Sequence, residues 1–433
     1  MAEVIYKTKV EDTYSCDVLV VGGGPAGIAS AIASARAGAD TILIEKYGFV
    51  GGSATASIVG PFMTCYDGSN KQQIIKGIFD ELITRMEKAG GAIHASKIGV
   101  ATPYAAFIRE GHHHVTPFDP ECLKLVAEQM LVESGVKLLY YTQFIDCVLE
   151  GKRIKHVIAA KKEGLCSIQA KCIVDCTGDA DIAAKAGVPV QLGAKNGVMQ
   201  PATMVFRVCN VNSDKFEAYV ESNMDKLGKP FSGLCSWVIE KARENGDWNI
   251  KRDEVGAYKG IHNGEWRLNT TRITSVDGTK SEELTRASIE GRKQVQEVLA
   301  FLRKYVPGFE NAWIMDSGGA VGIRETRHII GEYVITRDDV VNCKHFEDAI
   351  LLCSNSIDIH SNSSKGEYVT VENWYEIPFR SLVPKGCDNL LVAGRSISAD
   401  SEAVAAFRVM PCCFGIGQAA GSAAAICVKN NIR

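Results

Sequence analysis

The segment Cys16 to Lys46, CDVLVVGGGPAGIASAIASARAGADTILIEK, leaves little freedom in how this chain begins to fold. Asp17 to Val21 is a short apolar run ending in glycines, the pattern of a parallel strand buried on both faces. Pro25 suits the first turn of a helix, Ala26 to Ala37 carries isoleucines on one apolar face, and Gly38 ends it. Thr41 to Glu45 reads as a second buried strand. Gly22, Gly24 and Gly27 stand in the connecting turn at the spacing of a dinucleotide-binding strand–helix–strand unit. Gly22 permits the tight turn, Gly24 lets the backbone approach a pyrophosphate, and Gly27 lets the helix lie close to the strand. Free amides beyond Pro25, at Ala26 and onward, face the phosphates from the positive end of the helix. Glu45 closes the second strand, beside Lys46, where its carboxylate accepts the hydroxyls of an adenosine ribose. It would repel a phosphate there, which disfavours NADP.

The residues after Glu45 separate the two common dinucleotides. A nicotinamide-binding unit proceeds to another helix and strand. Here the chain runs on as EKYGFVGGSATAS, and Gly51, Gly52, Ser53 and Thr55 form a glycine-led loop whose backbone can lie against a flat ring. FAD is long enough to reach that loop from the pyrophosphate. The expected cofactor is FAD, and the loop GGSATASIVG offers no histidine for a covalent bond to it. No second strand–glycine–helix unit offers a site for a nicotinamide, so electrons are expected to leave to oxygen, a small oxidant or a partner protein, with transient docking of NADH at the flavin face as the alternative.

With 433 residues the chain is long enough for at least two lobes with separate cores. A net charge of −3 and the lack of any basic block give no reason to expect a nucleic acid or an anionic membrane as partner. The opening residues lack the features of a secretory signal, and the apolar run at Val18 is far too short to span a bilayer. Fifteen cysteines without a C-x-x-C pair, many inside apolar runs, read as buried thiols in a reducing compartment. The expectation is a cytoplasmic protein acting on a small molecule, with homo-oligomerisation left open.

Three further blocks carry a likeness: KLLYYTQFIDCVLEGKRIKHVIAAKKEGLCSIQAKCIVDCTGDADIAAKAG, SGGAVGIRETRHIIGEYVITRDDV and DNLLVAGRSISADSEAVAAFRVMPCCFGIGQAAGSAAAICV. With the opening unit they resemble FAD-dependent oxidoreductases of the glutathione-reductase-like superfamily, over nearly the whole chain. The nearer likeness is to the branch that includes fumarate reductase and L-aspartate oxidase. The resemblance implies an α/β fold: a discontinuous Rossmann-like FAD-binding domain with a β-meander, plus an α+β substrate or cap domain. The first part would span 1–199, with a cap excursion near 60–117, the cap 200–384, and the returning part 385–433. Thr177, Gly178 and Asp179 would lie by the pyrophosphate and the strand near Phe144 by the adenine. Gly394 and Arg395, after the strand Leu390 to Ala393, would also meet the cofactor. The helix opened by Gly415, Gly417 and Gly421 would point its start, with Gln418, at the pyrimidine end of the flavin.

The chemistry expected is hydride transfer between a small polar or carboxylated substrate and the flavin, which also needs a proton carrier and an anion clamp. In GIRETR, Arg324 and Arg327 are the candidate clamps; a salt-bridge cluster around Glu325 is the alternative. His360 is the candidate proton carrier, two residues after Asp358 so that both side chains share one face of an extended segment, although a purely structural histidine is the commoner case. No metal site is expected. GHHHV at His112 to His114 reads as a loop, with a substrate entrance as one role for it, since three consecutive histidines cannot all face one ion in regular structure. Cys412–Cys413 reads as a packing pair. Arg395 and Arg408 flank the last helix. The alternatives to a self-contained enzyme are an electron-transfer subunit, such as the flavin component of heterodisulfide reductase, and non-redox use of FAD. A long amphipathic helix is expected from about Ser281 to Tyr305, with a capping pair at Thr279 and Glu282.

Overall fold

Runs of valine, isoleucine and leucine, apolar on both faces, can only be buried as parallel strands between layers. Four strands pair in parallel around Asp12–Val21: Thr41–Ile44 on one side with Lys137–Leu139 beyond it, and Gly164–Asp175 on the other with Leu390–Val392 beyond that. Two antiparallel strands, Gln143–Glu150 and Arg153–Lys161, complete a seven-stranded sheet. The structure, a computed structural model, describes residues 7–10, 12–228, 232–360 and 367–432. The sequence suggests a three-stranded meander and then a separate strand from Cys172. Instead one strand of 12 residues, Gly164–Asp175, does both tasks. Its start pairs with Arg153–Lys161 and its end with Leu390–Val392, because no turn residue interrupts it after Gly164.

The helix Pro25–Arg36 covers one face of this sheet and is buried along most of its length. The helix Met410–Asn430 lies along it at a distance that only glycine allows. A Cβ at Gly417 would stand 2.1 Å from the Ala26 carbonyl oxygen, and one at Gly421 would stand 2.0 Å from that of Ser30. This helix opens at Met410 with Pro411 in its first turn, five residues earlier than the sequence suggests. It is the one helix among the described residues long and apolar enough to cross a bilayer; Phe414, Ile416, Ala420 and Ala424 on it are buried in the protein core.

A second layer has its own core. Strands Trp313–Ser317, Phe206–Cys209, Trp266–Leu268 and Ala257–Lys259 form an antiparallel sheet in that order. Phe216 meets Trp266 and Phe309 edge-on, at 4.8 and 4.9 Å between ring centres. The helix Ser281–Tyr305 packs on this core with the expected limits. The expected capping pair does not form: Lys280 is the cap residue, and Thr279 gives its amide and hydroxyl to Asp277. This core takes in Ala202 to Val321, whereas Ile335 to Leu382 pack into the core of the first layer. The expected cap at 200–384 is thus divided near 321. The physical reason is the strand Ala349–Cys353, which pairs with Tyr375–Pro378 and presses Leu351 against Gly415 of the last helix.

Gly417→Ala should therefore force the two helices apart at Ala26, next to the glycine turn. The expected cost is about 1–3 kcal/mol, read as a lower thermal midpoint together with weaker retention of bound dinucleotide; an unchanged midpoint would show that this contact does not set the helix spacing.

Candidate active site

The parallel strands end on one side of the sheet, and the segments that follow four of them meet there. Gly22, Gly24, Pro25 and Ala26 after the first strand, Glu45 and Lys46 after the second, Thr177, Gly178 and Asp179 after Gly164–Asp175, and Gly394 and Arg395 after Leu390–Val392 line one groove. Gly22 has φ +100°, and a Cβ there would stand 2.5 Å from the Cys176 carbonyl oxygen. The helix beyond it begins at Gly24 with no side chain capping it and Pro25 in its first turn, and its first internal bond runs from Ile28 N to Gly24 O. The amide of Ala26 is left at the groove wall. Gly52 lies against Gly24, where a Cβ would be 2.8 Å from the Gly24 Cα, so this loop closes on the phosphate turn as a backbone surface.

Charged side chains brace the groove. Glu45 is buried, and burial raises its pKa; Oε2 accepts from Gly23 N at 2.7 Å and Oε1 from Tyr47 N at 2.9 Å. Each oxygen keeps a lone pair for a further donor. The buried Asp175 carboxylate accepts from Thr177 N and Oγ1 and from the amides of Ile182 and Ala183, which shapes the Thr177–Asp179 turn. Burial pushes its pKa up to about 6. Asp179 accepts from Thr326 Oγ1 at 2.6 Å and from the Arg395 guanidinium at 2.8 Å.

A second cavity adjoins the groove, and Ser53, Ile323, Arg395, Arg408 and Met410 line both. One wall is apolar, with Val59, Pro61, Met63 and Val205; the polar wall includes Arg324, Asp358, His360 and Arg408. Asp358 and His360 point the same way from the end of the strand Ile357–Ile359, with Asp358 Oδ2 3.1 Å from His360 Nε2. Burial alone would raise the Asp358 carboxyl, yet His360, Arg408 and His112 hold it well below the usual carboxylate range. Burial, reinforced by Arg324 and Arg408, pushes the His360 imidazole down to about 3 against the pull of Asp358. The pair is thus a carboxylate and a neutral ring. Proton on Nε2, facing the carboxylate, leaves Nδ1 with the free lone pair. Arg324 is held by neutral oxygens, Pro201 O and Thr203 Oγ1. Burial first, then Arg408 and Arg252, lowers its pKa, so a negative charge in this cavity would be stabilised.

Residues 17–433 match the model of a family described as FAD dependent oxidoreductase. The chain belongs to that family. It is an FAD-dependent enzyme, and the match takes in the groove, the cap and the cavity. No curated protein matched the sequence. Among solved structures, p-nitrophenol 4-monooxygenase PnpA from Pseudomonas putida DLL-E4 is similar over 98% of this chain and 82% of its own, at 11% identity and a TM-score of 0.51. L-proline dehydrogenase from P. horikoshii is similar over 97% and 95%, at 13% identity and a TM-score of 0.44. At such identities the first likeness speaks for the fold alone.

The groove of this flavoenzyme fits FAD in its donor set: an uncapped helix start for the pyrophosphate, a buried carboxylate for ribose hydroxyls, and glycine surfaces where a Cβ would intrude. Ser53, from the second glycine loop, also lines it. Gly27 does not line the groove but has the packing task its spacing assigns it, holding the first helix on the turn where a Cβ would stand 1.8 Å from Gly22 O. Other expected residues lie elsewhere. The Thr55 hydroxyl donates to Val50 O inside its own loop. Phe144 packs against the core on the far face of the sheet. Gln418 and Gly417 sit two turns inside their helix, away from its start: Gln418 accepts from Ile78 N, and Gly417 is spent on the contact with Ala26. Arg327 is not in the cavity; its strand pairs with Val190–Leu192, and its guanidinium donates to Asp179 O and Asp181 Oδ1. One contribution escapes the sequence reading: the second layer and the segment after it supply Leu284 and Gly319 to Val321 to the groove, and the glycine pair at 318–319 is the signal that could have found it. His112, in the loop for which a substrate entrance was one expected role, lines the cavity.

Glu45→Ala should weaken FAD binding by about 1–3 kcal/mol, through lost charged hydrogen bonds and a released Gly23–Tyr47 turn. Titration of the apoprotein with FAD, followed by flavin fluorescence, reads this directly; an unchanged affinity would remove Glu45 from the site.

Proposed function

We propose that this enzyme transfers a hydride between its flavin and a C–H bond of a small carboxylated substrate whose body is apolar. The observation that carries the reading is Arg324: a cation in the wall of the cavity, fastened by neutral oxygens and facing an apolar wall. Its fork binds a substrate carboxylate, and Val59, Pro61, Met63 and Val205 take the remainder. FAD, when bound, supplies the two-electron carrier for the hydride. Asp358 orients the His360 ring through Nε2, and Nδ1 takes the proton released when the C–H carbon is oxidised, or returns it in reduction. The likeness to the fumarate reductase and L-aspartate oxidase branch supports a substrate with a carboxylate.

Anaerobic mixing with a panel of small carboxylic acids, their methyl esters and neutral alcohols tests this. Some acids should bleach the flavin and their esters should not; bleaching by esters as readily as by acids would sink the clamp. Arg324→Ala should raise KM for a productive acid about 10–100-fold.

The pH dependence has a definite sign. A general base works when neutral, and the His360 pKa is pushed down, so its contribution is lost only as pH falls through that low value. In the oxidative direction kcat/KM should hold level through pH ~6.5, where an ordinary histidine would already have lost half. A fall centred near 6.5 that disappears in His360→Gln would contradict the assigned environment.

A further inference from the structure

Arg324 and His360 come from distant parts of the chain, yet both are fastened to one stretch, Gln200 to Thr203. The His360 amide donates to Gln200 Oε1 at 3.1 Å. Arg324 donates to Pro201 O and Thr203 Oγ1. Gln200 is itself held from behind, because its Nε2 donates to Glu325 Oε2 at 3.4 Å. Only one orientation of the Gln200 amide satisfies both neighbours, carbonyl toward the His360 N–H and NH₂ toward the carboxylate. Glu325 is 1% exposed, and the Ser401 hydroxyl and the Gln200 backbone amide also lie against its carboxylate. Thr203 and Gly322 exchange two backbone bonds, 3.0 and 2.8 Å, which fixes the stretch against the segment that leads into Arg324.

We infer that Gln200, backed by Glu325, is a positioning residue that sets where His360 stands relative to Arg324. This rests on the roles given above to His360 and Arg324. His360 is the first residue beyond its strand, and the ladder of that strand ends at the Ile359–Glu367 pair. Its amide is therefore held by Gln200 instead of by the sheet. Arg324 and Glu325 are consecutive and grip the same stretch from two sides, one in the cavity wall and one in the interior. The two attachments are separable: Arg324 depends on 201 and 203, His360 on 200. The loss of the Gln200 side chain releases the histidine and leaves the carboxylate clamp in place.

The test uses the FAD-loaded protein labelled with ¹⁵N-histidine, with the His360 signals assigned by their loss in His360→Gln. Asp358, Arg324 and Arg408 face the ring, and in the wild type it should be neutral and in one tautomer from pH 8 down to about 5. In Gln200→Ala the ring should populate both tautomers and titrate measurably closer to ~6.5. Gln200→Asn, too short to reach both neighbours, should do the same and serves if the alanine variant does not fold. With an acid that bleaches the flavin, Gln200→Ala should lower kcat about 10–100-fold while KM stays within about threefold. Unchanged His360 signals in both Gln200 variants, at full flavin occupancy, would overturn the inference. If His360→Gln leaves kcat unaltered, the role given to His360 is what fails; if it lowers kcat and Gln200→Ala does not, the positioning role fails.

Discussion

The close contact between the helices Pro25–Arg36 and Met410–Asn430 governs both cavities. Gly417 and Gly421 let the second helix sit on the carbonyl groups of Ala26 and Ser30, and Ala26 belongs to the phosphate turn. The same helix begins at Met410, directly after Arg408 and Val409, and Arg408 and Met410 line both the groove and the cavity. Two glycines thus tie the dinucleotide turn to the wall of the substrate cavity, across nearly the whole length of the chain. Core packing leaves little slack for such a contact to shift, which is why the position of the cofactor and the shape of the cavity are one property.

The electrostatics depend on that closeness. The helix start offers amide groups and the positive end of a dipole to phosphates, while Glu45 is the anionic end of the groove. In the cavity the balance is reversed: Arg324, Arg395 and Arg408 line it with one carboxylate, Asp358, and the imidazoles of His112 and His360, and among the described residues only Arg395 has a further carboxylate partner, Asp179. Buried charge without a partner is costly, so a cavity built this way favours a bound anion. Asp358 is shared between orienting His360 and receiving, through its backbone carbonyl, the Arg408 guanidinium at 2.9 Å.

The groove was legible in the sequence because its glycines are dictated by backbone approach, and the spacing of Gly22, Gly24 and Gly27 states that approach directly. Asp358 and His360 were legible from period-two alternation on a strand. Arg324 and Arg327 were not separable, since the sequence of GIRETR does not say that Arg327 pairs opposite Leu192 and turns to Asp181. Gln418 failed for a related reason. The helix start is fixed by Pro411, and moving it five residues upstream carries Gln418 round to the Ile78 amide. Gln200 and Asp175 gave no signal at all. Their work is hydrogen bonding to backbone and side chains far away in sequence or just past a turn, and that is decided by tertiary placement.

The central claim is that the glycine turn and the Glu45 end of the groove hold an intact FAD without a covalent link. Acid precipitation of the holoprotein, followed by chromatography of the supernatant against FAD and FMN standards and a count of flavin per polypeptide, tests it most directly. One FAD released per chain and a colourless pellet are the predicted result. Flavin retained in the pellet, FMN in place of FAD, or protein that stays colourless after incubation with FAD would contradict it.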